Sequence, residues 1–223
     1  MSEQQVRSKS RVAAHGEVFT AEREVKAMCD LVKTETERIE SRFLKPACGN
    51  GNFLTEVLSR KLAVVKKRYG KSPVDYQRYS VQAVMSLYGV ELLPDNAAEC
   101  RERLFALWEE EYIAAVKNRA EEPCREAVRY VLEKNILCGD APTMCQTDGQ
   151  PIVFAEWSFL SGNLVKRRDF TLDALLKPQQ IQTTLDTAGW EYDAETESLI
   201  PKPICDTYLV VDYREVQEEK KHE

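Results

Sequence analysis

The segment Pro46-Ala47-Cys48-Gly49-Asn50-Gly51-Asn52-Phe53-Leu54 holds the densest chemical signal in the chain. Two glycines one residue apart, set between a short apolar run and a helical pattern, let main chain approach a ligand closely. The first free N–H groups of the following helix then face that ligand, which suits an anionic or carboxylate-bearing molecule. The same residues also make a plain tight turn. A dinucleotide fingerprint would place a third small residue where Leu54 stands and an acidic partner about 20 residues farther on. Neither is present; the acidic residue at the next strand end is Glu91, far along the chain. A carboxylate in that place can accept hydrogen bonds from ribose hydroxyls. Ribose recognition without an NAD-type turn points to a different nucleoside cofactor and away from an NAD-linked oxidoreductase.

Strands must carry these residues and helices must cover them. Arg42-Phe43-Leu44-Lys45 reads as a strand entering the turn, and Leu54, Val57, Leu58, Leu62 and Val65 recur behind it at helical spacing. Residues 66–75 are charged and contain Gly70 and Pro73, a surface connection before a helix through Tyr79, Ala83 and Val84. Tyr88-Gly89-Val90-Glu91-Leu92 predicts a second strand, and Asn135 to Cys138 a third that ends at Gly139-Asp140. Between them Pro94 and Asp95 open a helix with Leu104, Leu107, Trp108 and Tyr112 on one stripe, and Pro123 begins another. The apolar run Pro151-Ile152-Val153-Phe154-Ala155 suits a fourth strand buried on both faces, and residues 207–213 a late one. Upstream, Thr20 is placed to cap a helix bearing Val25, Met28, Cys29 and Val32. Strands alternating with helices predict an α/β fold with a mostly parallel central sheet flanked by helices, its ligands at the carboxyl ends of the strands. The predicted organisation is a flexible arm over residues 1–14, a single domain over 15–214 and a solvated tail over 215–223.

Composition narrows the function classes. The chain has 223 residues, 43% of them apolar and 30% charged, the make-up of one soluble globular domain. A net charge of -6 excludes a protein that grips nucleic acid over its whole surface, so any DNA contact would be local or supplied by a partner. Seven cysteines without a CxxC pair, and only two histidines, read as buried thiols and no metal site. No apolar run approaches the roughly 20 residues that cross a bilayer, and the polar start lacks a signal-peptide core. A cytoplasmic location with no membrane partner is expected.

Four segments in order, His15-Gly16-Glu17-Val18-Phe19-Thr20, then Phe43 through Leu54, Tyr88 through Leu92, and Asn135 through Asp140, resemble the cofactor motifs of DNA amino-methyltransferases. These are the adenine-N6 type found as modification subunits of restriction systems. The resemblance implies a Rossmann-like class I methyltransferase fold and S-adenosylmethionine as cofactor. By it, Thr20 would touch the amino-acid end of the cofactor, and Pro46, Ala47, Gly49 and Gly51 would wrap its methionine portion. Glu91 would hold the ribose hydroxyls and Asp140 would meet the adenine amino group.

Other positions depart from the family. Its strand after the adenine-contacting aspartate ends in Asn-Pro-Pro-Tyr or a near variant, which holds the target amino group and stacks on the flipped base; here Ala155-Glu156-Trp157-Ser158 stands in that place. Trp157 offers a flat face for stacking and Glu156 an acceptor for an amino group, while a core tryptophan and a solvent-facing glutamate are the plainer assignment. Ala21 replaces the usual proline, and the family's target-recognition region has no counterpart between Ser158 and Glu223. Lys166-Arg167-Arg168, presented by a turn at Ser161-Gly162-Asn163, is either a DNA-phosphate contact or a solvated loop. Two functions are therefore expected to compete. One is an S-adenosylmethionine-dependent DNA methyltransferase with Glu156 and Trp157 as catalytic residues. The other is an inactive cofactor-binding subunit that serves a modification, restriction or mobile-element assembly through a specificity or catalytic protein partner.

Overall fold

Proline and serine mark the joints of the chain. Ser72 caps the helix that begins at Pro73, its hydroxyl accepting the Asp75 N–H at 3.4 Å, and prolines stand in the first turns of the two long helices that follow. The computed structural model describes residues 6–176, 190–193 and 198–221. In chain order these form α1 (Lys9–His15), α2 (Glu22–Leu31), α3 (Lys33–Thr36), β1 (Phe43–Lys45), α4 (Asn52–Tyr69), α5 (Pro73–Met85), β2 (Leu87–Glu91), α6 (Pro94–Val116), α7 (Glu122–Asn135) and β3 (Ile136–Cys138). There follow β4 (Val153–Phe159), β5 (Leu164–Thr171), α8 (Leu172–Leu176), the hairpin β6 (Trp190–Asp193) with β7 (Ser198–Pro201), and β8 (Val211–Asp212).

β1, β2 and β3 pair in that order and all parallel, with Lys45 opposite Gly89 and Glu91 opposite Cys138. Parallel neighbours cannot be joined by a hairpin, so each connection crosses over through helices: α4 and α5 between the first two strands, α6 and α7 between the second pair. These four helices pack on one another. The apolar stripe expected on α4 is buried throughout, and Trp108, Tyr76, Tyr112 and Leu104 fill the space between the helices. Each fully buried leucine of this layer contributes about 2 kcal/mol. Lys61 of α4 is buried with them, its ammonium donating to the carbonyls of Ile39 (3.0 Å) and Ser41 and to Ser86 Oγ (2.7 Å).

The other side of the sheet is covered by the start of β4 and by α8. Tyr88 and Val90, alternate residues of β2, pack against Ile152, Phe154 and Leu172. The Tyr88 ring meets Phe154 edge-on at 5.4 Å, and its hydroxyl donates to the Ala155 carbonyl at 3.1 Å. On the helix side, the Asn135 amide donates to the carbonyls of Met85 and Leu87 and accepts the Trp157 indole N–H at 3.0 Å.

The chain is thus a mixed α/β protein whose parallel sheet has three strands, and the expected fourth strand does not extend it. β4 pairs antiparallel with β5, and β5 with β8, in a separate sheet. The turn expected at Ser161-Gly162-Asn163 is present, with Gly162 at φ +64°, and so short a connection brings β5 back antiparallel to β4. Of the run expected to be buried on both faces, Ile152, Phe154 and Ala155 are buried, Val153 is half-buried and Pro151 is exposed.

The expected ends also differ. Within the segment read as a flexible arm, α1 forms behind a Ser8 cap, and none of its residues is buried; ion pairs hold it in place of apolar packing. Ala21, not Thr20, stands at the start of α2, without a side-chain cap. In place of a late strand over 207–213, only β8 pairs with β5, and Tyr208 bridges Lys221. The expected solvated tail carries a 3-10 helix, Tyr213–Glu218, that buries Tyr213 and Val216 against α7. Residues 1–5 of the expected arm and 222–223 of the expected tail lie outside the described residues.

Candidate functional site

The parallel strands end in one place. Segments that end or follow β1 (Pro46, Ala47, Gly49), β2 (Glu91, Leu92, Leu93, Asn96) and β3 (Gly139, Asp140, Ala141, Pro142) meet residues 15–19 around a cleft of about 290 Å³. This is the carboxyl end of the sheet, where open α/β folds hold ligands. Main-chain hydrogen bonds fix its floor: Cys48 N–H donates to the Val90 carbonyl and Gly139 N–H to that of Glu91, both at 2.9 Å.

The two glycines of the turn do different work. Gly49 lies in the cleft wall with φ +56°, and its N–H donates to Glu91 Oε2 at 2.8 Å. Gly51, at φ +93°, is absent from the wall. A methyl there would come within 2.7 Å of Cys100 Sγ, so this glycine lets the start of α4 lie against α6. The N–H groups of Cys48, Gly49 and Gly51 are all spent inside the protein, the last on the Cys48 carbonyl at 3.0 Å. The turn therefore does not offer those three to an anion, and Asn52, Phe53 and Leu54, whose N–H groups open α4 and carried the expectation, are not part of the cleft lining.

Glu91 is the hub. Besides Gly49, it accepts the Leu93 N–H at 3.2 Å and the Asn96 amide at 3.3 Å, both on Oε1. Asn96 in turn donates to Glu17 Oε1 at 2.6 Å. Glu17 is gripped from α1 by Arg11, through Nε at 2.5 Å and Nη2 at 2.7 Å. That guanidinium holds the Glu17 carboxyl below the usual range against the opposing effect of burial, with the Asn96 amide adding to it. Arg11 also bridges to Asp95 at 2.8 Å, and Arg7 joins both Asp95 and Glu99. Glu17 and Asn96 carried no signal of their own in the sequence, being an ordinary acid within the His15–Thr20 motif and a residue in the first turn of a helix.

Of the residues expected around a cofactor, Pro46, Ala47, Gly49, Glu91 and Asp140 converge on the cleft. Asp140 accepts the Thr143 hydroxyl at 2.8 Å. Gly51 sits behind the wall, and Thr20 is exposed outside it, its carbonyl accepting from Asn52. Glu17, Glu91 and Asp140 give the lining three carboxylates, and no lysine or arginine is part of it. Val18 and Leu92, 58% and 48% exposed, present apolar side chains at the mouth.

Neither Glu156 nor Trp157 lines this cleft. Adjacent residues of a strand face opposite ways, so the pair cannot share one site. Trp157 points into the helical core with 6% exposure, its ring edge-on to Tyr130. Glu156 is buried on the other face, accepting from Arg42, from Arg168 at 3.2 Å and from the Ser158 hydroxyl at 2.8 Å. It borders a second, mostly apolar cavity of about 200 Å³ with Tyr88, Phe154 and Leu176.

The basic cluster is likewise drawn inward. Arg167 and Arg168 are buried, because they lie in the middle strand of a sheet and not in a loop. Arg167 holds both oxygens of Asp169 at 2.7 and 3.0 Å and stacks on Tyr208 at 4.1 Å. Lys166, opposite Ser158, is only partly exposed. A phosphate contact by the two arginines would break these pairs.

All seven cysteines are free, with Cys29, Cys48, Cys100 and Cys124 buried. Among the described residues no group of three His, Cys, Asp or Glu side chains is disposed to hold a metal ion, and no helix is long and apolar enough to cross a membrane. Comparison of the chain with protein-family models, with curated proteins and with solved structures finds no match.

Proposed function

We propose that this chain is an S-adenosylmethionine-binding domain of the DNA amino-methyltransferase type, with a Rossmann-like arrangement of its sheet and crossovers, that has kept the cofactor cleft without a working methyl-acceptor site. One observation carries the reading: the cleft at the strand ends is lined by Glu17, Glu91 and Asp140 and by no lysine or arginine. Phosphate-bearing cofactors need lysines, arginines or free main-chain donors, and three of the turn's N–H groups are already engaged. A nucleoside with a sulfonium and an ammonium against a single carboxylate is net cationic and suits an acidic wall. The exposed apolar faces of Val18 and Leu92 offer a place for a purine, Glu91 for ribose hydroxyls and Asp140 for an exocyclic amino group.

Burial of Trp157 and the ion pairs of Glu156 favour binding over transfer, since no acceptor-handling pair faces the cleft. When bound, the cofactor would supply an activated methyl group; this chain's own residues would orient the nucleoside. DNA contact and methylation would then fall to a protein partner in a modification or restriction assembly.

Calorimetric titration tests the binding. S-adenosylmethionine and S-adenosylhomocysteine are expected to bind, NAD is not, and Glu91→Ala is expected to lose the ligand; a wild-type protein blind to both would end the reading. Labelled-methyl transfer to mixed-sequence DNA tests the second half. Incorporation by the purified chain alone would restore the methyltransferase function, with Glu156→Ala and Trp157→Ala identifying whether those residues act in it.

A further inference from the structure

The second cavity, of about 200 Å³, lies on the face of the parallel sheet that β4 and α8 cover, and it shares no lining residue with the cleft. Leu44 and Tyr88, register partners on β1 and β2, supply part of its wall, and Phe154 and Ala155 of β4 another part. Leu175 and Leu176 of α8 complete it, 42% and 49% exposed. An apolar cavity of about 150 Å³ already takes up a benzene ring. The space here therefore holds a body of phenyl size with room for one polar group.

The polar atoms of the wall decide what that group is. The Tyr88 hydroxyl proton is spent on the Ala155 carbonyl. Both oxygens of Glu156 already accept, Oε1 from Arg42 and from the Ser158 hydroxyl, Oε2 from Arg168. A ligand donor would have to compete with those bonds. Arg42 is the exception: it gives Glu156 one nitrogen, Nη2, and its Nε and Nη1 have no acceptor among the described residues. Its side chain is 54% exposed, so a ligand reaches it with the ion pair intact. A guanidinium with open N–H donors beside apolar walls matches a carboxylate, which it can hold through two parallel bonds.

We propose that this cavity is a binding site for a small monocarboxylic acid, whose apolar body lies among Leu44, Tyr88, Phe154 and Leu176 and whose carboxylate is held by Arg42. The site stands apart from the cleft, so the inference does not rest on S-adenosylmethionine. Phenylacetate and its neutral amide, phenylacetamide, are the probes, titrated into the isotope-labelled full chain and followed by NMR. In wild type the ring resonances of Tyr88 and Phe154 should move saturably with phenylacetate at about millimolar concentration, and the ligand ring should show contacts to the Leu175 and Leu176 methyl groups. The amide should bind about fivefold more weakly, as expected for a charge-assisted contact to a half-exposed guanidinium. Arg42→Gln should bring the acid down to the affinity of the amide and leave the amide unchanged, with Arg168 and Ser158 still donating to Glu156. Tyr88 and Phe154 resonances that stay still up to about 10 mM phenylacetate would overturn the proposal. Equal wild-type affinities would mean an apolar cavity without an anion site and overturn it as well, and so would an acid preference that survives Arg42→Gln. Shifts confined to Val18 and Leu92 would place the acid in the cleft and have the same force. If the variant does not fold, the wild-type comparison of acid with amide decides alone.

Discussion

Gly51→Ala separates packing from ligand binding at the glycine turn. Two effects add at this position. A side chain at φ +93° pays the left-handed strain of an L residue, about 1–2 kcal/mol, and the new methyl would lie 2.7 Å from Cys100 Sγ, an overlap that costs about 1–3 kcal/mol more. Gly149, at φ +82° with nothing within 4 Å of an added methyl, supplies the control for strain alone. Urea unfolding should show Gly51→Ala losing about 2–5 kcal/mol and Gly149→Ala about 1–2 kcal/mol, each at unchanged m. Cys100→Ala removes the sulfur and leaves its β-carbon at 3.4 Å, an acceptable contact. The double variant should therefore recover about 1–3 kcal/mol relative to the sum of the singles. It should also still bind S-adenosylmethionine, whereas Gly49→Ala, in the cleft wall beside Phe19, should weaken binding. Additive singles, or a Gly51→Ala cost no larger than that of Gly149→Ala, would refute the account of how Gly51 lets the start of α4 lie against α6.

Burial pushes Lys61 down to about 7, while the unfolded amine stays near about 10.4. Between those values the unfolded chain holds a proton that the folded one has released, so this group makes stability rise with pH across the window. A urea-midpoint series from neutral to mildly alkaline pH should show that rise in the wild type relative to Lys61→Met; parallel curves would mean that its three acceptors keep the ammonium charged. Trp157→Ala should cost about 3–5 kcal/mol as a core truncation and leave affinity for S-adenosylmethionine unchanged, a pairing that calorimetry and unfolding check together. Arg11→Gln frees Glu17 from the guanidinium that depresses it. The stability advantage of wild type should be full above the unfolded carboxyl value of about 4.3 and be lost as pH falls through the lower folded value, and a gap that persists below both would refute the pairing.

The parallel half of the fold was legible because its signals are local. Gly49, Glu91 and Asp140 each follow a short apolar run, and Pro73, Pro94 and Pro123 punctuate the helices between; strand, turn and helix are all specified within a few residues. The hairpin was not, because Ile152 to Ala155 looks the same whether its neighbour runs parallel or antiparallel, and only the length of the return through Gly162 distinguishes them. Arg167 and Arg168 read as a basic surface for a related reason: a charge is assigned to solvent unless its partner is known, and Asp169 becomes one only when β5 is extended, Glu156 only once β4 and β5 pair. Glu17 and Asn96 depend on contacts across 79 positions of sequence, beyond any periodicity. Nor does helical spacing reveal α1, whose hold on the domain is ionic and leaves no apolar stripe to read.

Asn135 has a bearing on how the molecule comes apart. One carboxamide, at the end of the strands remote from the cleft, grips the carbonyls of Met85 and Leu87 with its nitrogen and the indole of Trp157 with its oxygen. The hairpin cannot lift away without stranding that oxygen in an apolar interior. Amide exchange at Val90 and Phe154 should accordingly share one opening free energy, so that both sheets breathe as one unit.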